Sequence, residues 1–149
     1  MPKIKTFLAV LVGLRAGWAC FVWLSGVAVH FDWHTPLSGD SYFAGAVLAA
    51  SPAIFLLWTS YVAGYVLSAI LVWRSMRLAV WVYGASMLVD LGLWVSAGLF
   101  ANYDLALDGR ASVVDMIFNI VDVAIFLGLM VVVMAEARRT QNAPYLRGK

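Results

Sequence analysis

The sequence predicts an all-α integral membrane protein, an up-down bundle of four transmembrane helices with both termini cytoplasmic. Three observations carry this: bulk composition, the length of four apolar stretches, and the brevity of the links between them. Of 149 residues, 64% are hydrophobic and only 12% charged, and the mean hydropathy is +0.90. Soluble domains hold an apolar share of roughly 45–50%. A membrane-spanning helix needs about 20 apolar residues, so four spans and their connections use nearly all of the chain. The expectation is one transmembrane domain, 1–149, with no separate soluble domain.

The first span is expected over Thr6–Phe31. Lys3 and Lys5 before an apolar run imitate a secretory signal, but Arg15 and Trp18 fall where a cleavage region is small and neutral, which predicts an uncleaved span. The residues Gly17-Trp18-Ala19-Cys20 lack the aliphatic residue of a lipid-attachment site, and Cys20, the single cysteine, reads as a buried small hydrophobe. A polar segment, Asp32–Ser51, follows, with Pro36, Ser38, Gly39 and Asp40 as turn residues. Ser51-Pro52 is a cap followed by a proline at the first helical position, and it opens a second span, Pro52–Trp73.

Only Arg74-Ser75-Met76-Arg77 separates that span from a third, Leu78–Ala101. So short a link forces an antiparallel hairpin. A loop over Asn102–Arg110, with Asp104, Asp108 and Gly109, leads to the fourth span, Ala111–Ala135. The tail from Glu136 contains Pro144 and reads as a short flexible end, helical through Arg139.

Charge placement gives the expected orientation. With four spans, Lys3, Lys5, Arg74, Arg77, Arg138, Arg139, Arg147 and Lys149 share one side, Arg110 alone is on the other, and Arg15 is within the membrane. The positive-inside rule makes the basic side cytoplasmic. Asp32, Asp40, Asp104 and Asp108 give an acidic exterior, and Trp33, Tyr42, Phe43, Tyr103, Trp73 and Trp81 fall where interfacial anchors belong. The expected location is a bacterial-type inner membrane. A net charge of +2, dispersed, excludes a nucleic-acid groove or a polybasic lipid tether.

Small residues recur at close-packing intervals: Ser60, Gly64 and Ser68 in the second span, Gly84, Gly92 and Ser96 in the third, Gly13 and Gly17 in the first. Spacing of this kind lets helix backbones approach where no hydrophobic force drives them together.

The candidate site comes from charges in hydrocarbon, which persist only when paired, hydrated or useful. At 1.5 Å per residue, Arg15 lies about 13 Å into its span, Asp90 about 18 Å into the third, and Asp122 roughly 20 Å from the inner end of the fourth. All three are near the midplane of a core about 30 Å thick. Asp115, Asn119, Asp122 and Phe126 form one stripe on the fourth helix, which must face protein or water. The expected buried polar network is therefore Arg15, Asp90, Asp115, Asn119 and Asp122. One arginine faces two midplane carboxylates, and a surplus buried carboxylate tends to hold a proton. These groups either fix helix register as a satisfied network or bind a cation or relay protons.

His30-Phe31-Asp32-Trp33-His34 is a weaker candidate, for a metal, because His30, Asp32 and His34 would point one way in an extended chain. No second span carries a histidine, so paired haem ligation is not expected. No phosphate loop, activated Ser or Cys nucleophile, or His-Glu zinc helix is present. Neither a catalytic residue nor a cofactor is predicted.

Leu14-Arg15, with Phe21, Leu24, Ser25 and Gly26, is similar to the opening helix of the DoxX-like four-span proteins over that short stretch. The likeness implies a four-span fold and assigns no family. Small four-span multidrug exporters differ, since Arg15 stands in the region of their first-helix carboxylate. The functional expectation is a non-catalytic accessory or structural subunit, with the lipid bilayer and other membrane subunits or copies of itself as partners. A proton- or cation-coupled transporter using the midplane aspartates comes second, and a lipid-acting membrane enzyme using the outward His and Asp residues third.

Overall fold

Helix boundaries follow local chemistry closely. The computed structural model describes residues 2–37, 39–99 and 109–142, with backbone alone at 2, 41–42, 96–99, 109–115 and 139–142. It contains five helices: α1 (Pro2–His30), α2 (Ser41–Ala49), α3 (Pro52–Arg74), α4 (Met76–Leu99) and α5 (Gly109–Asn142). No strand occurs among the described residues. Lys3–His30, Pro52–Arg74, Met76–Val95 and Met116–Arg138 are long and apolar enough to cross a membrane, the make-up of a multi-pass membrane protein.

α1 ends where Asp32 takes a left-handed backbone, φ 59°, and Trp33 N–H closes on the Ala28 carbonyl at 2.9 Å. α3 begins on its expected cap: Ser51 Oγ accepts from the Ile54 amide at 3.4 Å, with Pro52 at the first helical position. Ser75 alone separates α3 from α4. Its extended backbone (φ −153°, ψ 95°) breaks the helix while its N–H still reaches Leu71 O at 2.7 Å. The same residue's carbonyl accepts from Ala79 N at 3.0 Å and starts α4. The hairpin is therefore tighter than the four-residue link expected from the sequence.

The segment 32–51 is not polar throughout. Its second half folds as α2, because Asp40 Oδ1 accepts from Phe43 N at 3.2 Å and Asp40 O from Ala44 N at 2.9 Å, capping the apolar run that follows. At nine residues it is about 13 Å long, too short to span. It lies against α1, with Val47 buried near Gly26.

The four long helices form a ring in which α1 adjoins α3 and α5, and α4 adjoins α3 and α5. Every neighbouring pair runs antiparallel, since contacting residue numbers fall on one helix as they rise on the other. On α3 and α4 the pairs are Ser68 with Ala79 and Gly64 with Ser86. On α1 and α5 they are Leu8 with Gly128 and Lys5 with Glu136, an ion pair at 2.5 Å. The start of α1 and the end of α5 are thus at one end of the bundle.

Burial separates by residue type in the sense a lipid environment demands. Leu14, Leu56 and Trp81 are 67%, 69% and 77% exposed, whereas Ser25, Ser68 and Ser86 are buried among Ala, Val and Tyr. The buried serines share the interior with large side chains such as Leu8, Ile125 and Leu129, while many other large apolar residues face out. Of the expected anchors, Trp33, Trp73 and Trp81 are exposed and Phe43 packs edge-on to Trp58. Tyr103, Asp104, Asp108, Ala101, Arg147 and Lys149 lie outside the described residues, as do the side chains of Tyr42, Ser96, Arg110 and Arg139.

Of the small-residue stripes, Gly64 and Ser68 form the α3–α4 seam, with Ser68 Oγ donating to Ala79 O at 3.0 Å. Gly84 sits beneath the Phe126 ring of α5. Gly13, Gly17 and Gly92 face open space and Ser60 is exposed, so these take no part in the packing of the four helices.

Candidate functional site

Antiparallel packing brings side chains from all four long helices together at the centre of the ring. α1 supplies Arg15, α3 Tyr65, α4 Tyr83 and Asp90, and α5 Asp122. Arg15 presents the Nε and Nη2 edge of its guanidinium to Asp122. Nε lies 2.8 Å from Oδ1 and 3.0 Å from Oδ2, and Nη2 lies 2.9 Å from Oδ2. The same Nη2 donates to Asp90 Oδ2 at 2.6 Å. Edge-on pairing of this kind fixes both direction and distance, which a lysine would not.

Two tyrosines complete the carboxylate's shell. Tyr83 Oη donates to Asp122 Oδ1 at 2.6 Å and Tyr65 Oη to Asp122 Oδ2 at 2.9 Å, with Asp90 Oδ2 a second acceptor for Tyr65 at 3.3 Å. Asp122, Tyr65 and Tyr83 are fully buried, whereas the Asp90 side chain retains 19% of its exposure. Among the described residues no buried side-chain nitrogen or oxygen lacks a hydrogen bond.

α1 and α4 are opposite in the ring, as are α3 and α5. The Arg15–Asp90 and Tyr65–Asp122 bonds therefore cross both diagonals and tie together helices whose backbones do not meet. Aromatic faces close the arginine in: its Cζ is 4.5 Å from the Tyr65 ring centroid and 5.6 Å from that of Phe118, distances at which a cation is drawn to a π face. Phe118 in turn stacks on Trp18, 5.2 Å between centroids and 13° from parallel.

Arg15, Asp90 and Asp122 are brought into direct contact. Asn119, half-buried, makes no hydrogen bond to this cluster among the described residues, and the Asp115 side chain lies outside them. Tyr65 and Tyr83 are not singled out by the sequence, where the aromatics that draw notice read as interface anchors. A signal existed, since a tyrosine hydroxyl far from either end of an apolar span must find a partner. Trp23, with Nε1–H on Thr59 Oγ1 at 2.9 Å, obeys the same rule.

Tyr83→Phe is expected to cost about 1–2 kcal/mol of stability, at the upper end of membrane hydrogen bonds because its acceptor is charged. Tyr65→Phe should cost less, since its hydroxyl is shared between two carboxylates at longer range. Chemical unfolding in detergent micelles measures both, and equal, negligible costs would show that neither hydroxyl holds Asp122.

His30, Asp32 and His34 do not converge. His30 ends α1 with its ring edge-on to Phe55, 5.6 Å between centroids, and the left-handed turn at Asp32 breaks the extended register that would align the three. No group of three His, Cys, Asp or Glu side chains suited to a metal occurs among the described residues. No family model, curated protein or solved structure matches the chain.

Proposed function

We propose that the chain is a non-catalytic accessory or structural subunit of a larger membrane assembly, set in a bacterial-type inner membrane with both termini cytoplasmic. The observation that carries the reading is the closure of the polar centre. Asp122 is completely buried, and its oxygens already receive Arg15, Tyr65 and Tyr83. A substrate or ion would have to displace one of these donors. A satisfied buried network specifies one helix arrangement, and a fixed arrangement is what a docking subunit has to offer. Lys5, Arg74 and Arg77 at one end of the bundle support the orientation. Extraction in mild detergent should recover the chain bound to other membrane subunits, or to copies of itself. Recovery as a lone monomer overturns the proposal.

One observation favours a second reading, proton coupling. The charged centre holds two carboxylates for one guanidinium, and Asp90 is the more accessible of the two. In sealed proteoliposomes an Asp90-dependent proton flux, lost in a folded Asp90→Asn variant, would establish that reading. No flux in either protein leaves the subunit role.

A further inference from the structure

Away from the polar centre, α1 and α3 flank an open groove of about 540 Å³. One wall is Ala9, Gly13 and Ala16 of α1; the other is Val66, Ile70 and Trp73 of α3. The α1 wall is low because its residues are small, and a Cβ built on Gly13 would meet nothing within 4 Å. Val66 to Arg74 spans about 12 Å along the helix, close to one half of a hydrocarbon core about 30 Å thick. The groove is thus apolar for the depth of a single leaflet.

At its end stands a cation. Arg74, the last residue of α3, lines the groove, is exposed and forms no ion pair among the described residues. Trp73 beside it is 67% exposed, where an indole meets headgroups. Lys5 at the same end is occupied by Glu136. Basic pockets between membrane helices on the cytoplasmic side are sites for anionic headgroups.

We propose that the α1–α3 groove binds an anionic glycerophospholipid, one acyl chain lying between Gly13 and Ile70 and the phosphate meeting the Arg74 guanidinium. The charge arrangement separates this occupant from a second copy of the chain. Copies inserted in one orientation and related by a two-fold axis along the membrane normal would bring two Arg74 side chains to the same end of the interface, and the groove lining contains no carboxylate to offset them. A phosphate supplies the missing charge. The inference rests on the membrane reading and the orientation proposed above, and not on the subunit role.

The test uses full-length protein in phosphatidylcholine vesicles, probed by electron spin resonance with chain-labelled phosphatidylglycerol and phosphatidylcholine. Wild type should hold phosphatidylglycerol about fivefold more strongly, the factor one interfacial basic residue supplies. Arg74→Gln should equalise the two lipids, and Gly13→Leu should expel both from the immobilised position while thermal unfolding stays that of wild type. Equal association in wild type, or a Gly13→Leu variant that holds lipid as wild type does, overturns the proposal. So does efficient disulfide dimerisation of Gly13→Cys in a Cys20→Ala background, which would assign the groove to a second copy. Failure to float with the vesicles would instead sink the membrane reading itself.

Discussion

Asp122→Ala is expected to destabilise the protein by about 3 kcal/mol. Removing one member of a buried pair costs roughly 3–5 kcal/mol, because the partner stays buried without its counter-charge. Here the low end applies, since Arg15 Nη2 keeps Asp90 at 2.6 Å. Nε loses its acceptor, and Tyr83 loses the carboxylate oxygen 2.6 Å away. Ordinary hydrogen bonds between membrane helices average about 0.6 kcal/mol, so lost bonds alone would give a smaller figure. The charge makes the difference.

The companion substitutions separate geometry from charge count. Wild type has two carboxylates for one guanidinium, so Asp122→Asn makes the centre formally neutral. If surplus negative charge were the dominant strain, that variant would be more stable. Geometry predicts the opposite, a loss of about 1–2 kcal/mol, because an amide offers the arginine edge one acceptor oxygen in place of two. Arg15→Leu alone removes the guanidinium that faces both carboxylates and should also destabilise. Arg15→Leu with Asp122→Leu removes the pair and leaves apolar groups of similar bulk, a replacement that is often neutral or favourable. The double variant should therefore be at least about 2 kcal/mol more stable than the two single losses added together. Equilibrium unfolding in micelles, followed by the fluorescence of the seven tryptophans, measures every corner of the cycle. Additive losses would mean that Arg15 and Asp122 contribute independently and the centre is no unit.

The convergence of Arg15, Asp90 and Asp122 was legible because helix rise is fixed: three charges at similar depth on antiparallel helices have few places to go. Rotation about each helix axis is harder to read from spacing alone. Gly13 and Gly17 have the same interval as Gly64 and Ser68, yet the first pair faces open space and the second forms a seam. Arg15 settles that difference, since it is two residues, about 200° of helix turn, from both Gly13 and Gly17. Once the guanidinium faces inward, both glycines face outward. Tyr65 and Tyr83 were hidden by the second role of tyrosine as an interface anchor. α2 was hidden by brevity, nine apolar residues after a stretch of turn formers.

Gly64→Ala is expected to cost about 2 kcal/mol and Gly64→Val more, although neither touches a charge. A Cβ at this position would overlap Ser86 Oγ and stand 3.2 Å from Ser86 Cβ. The hydroxyl cannot swing away freely, because it donates to Val82 O at 2.9 Å within its own helix. The helices must part instead, and overpacking of a tight seam costs about 1–3 kcal/mol. The seam also aims the tyrosines. Tyr65 follows Gly64 in sequence, and its ring centroid is 5.1 Å from that of Tyr83 across the same interface. Parting α3 from α4 therefore lengthens the 2.9 Å and 2.6 Å bonds that both hydroxyls make to Asp122. Ser86→Ala removes the overlapping oxygen and leaves only the Cβ contact, so Gly64→Ala with Ser86→Ala should recover most of the loss. Gly13→Ala and Gly92→Ala, whose new methyls meet nothing within 4 Å, should stay within about 0.5 kcal/mol of wild type. Thermal unfolding of these five variants reads the comparison directly, and a Gly64→Ala protein as stable as Gly13→Ala would show that the seam is loose.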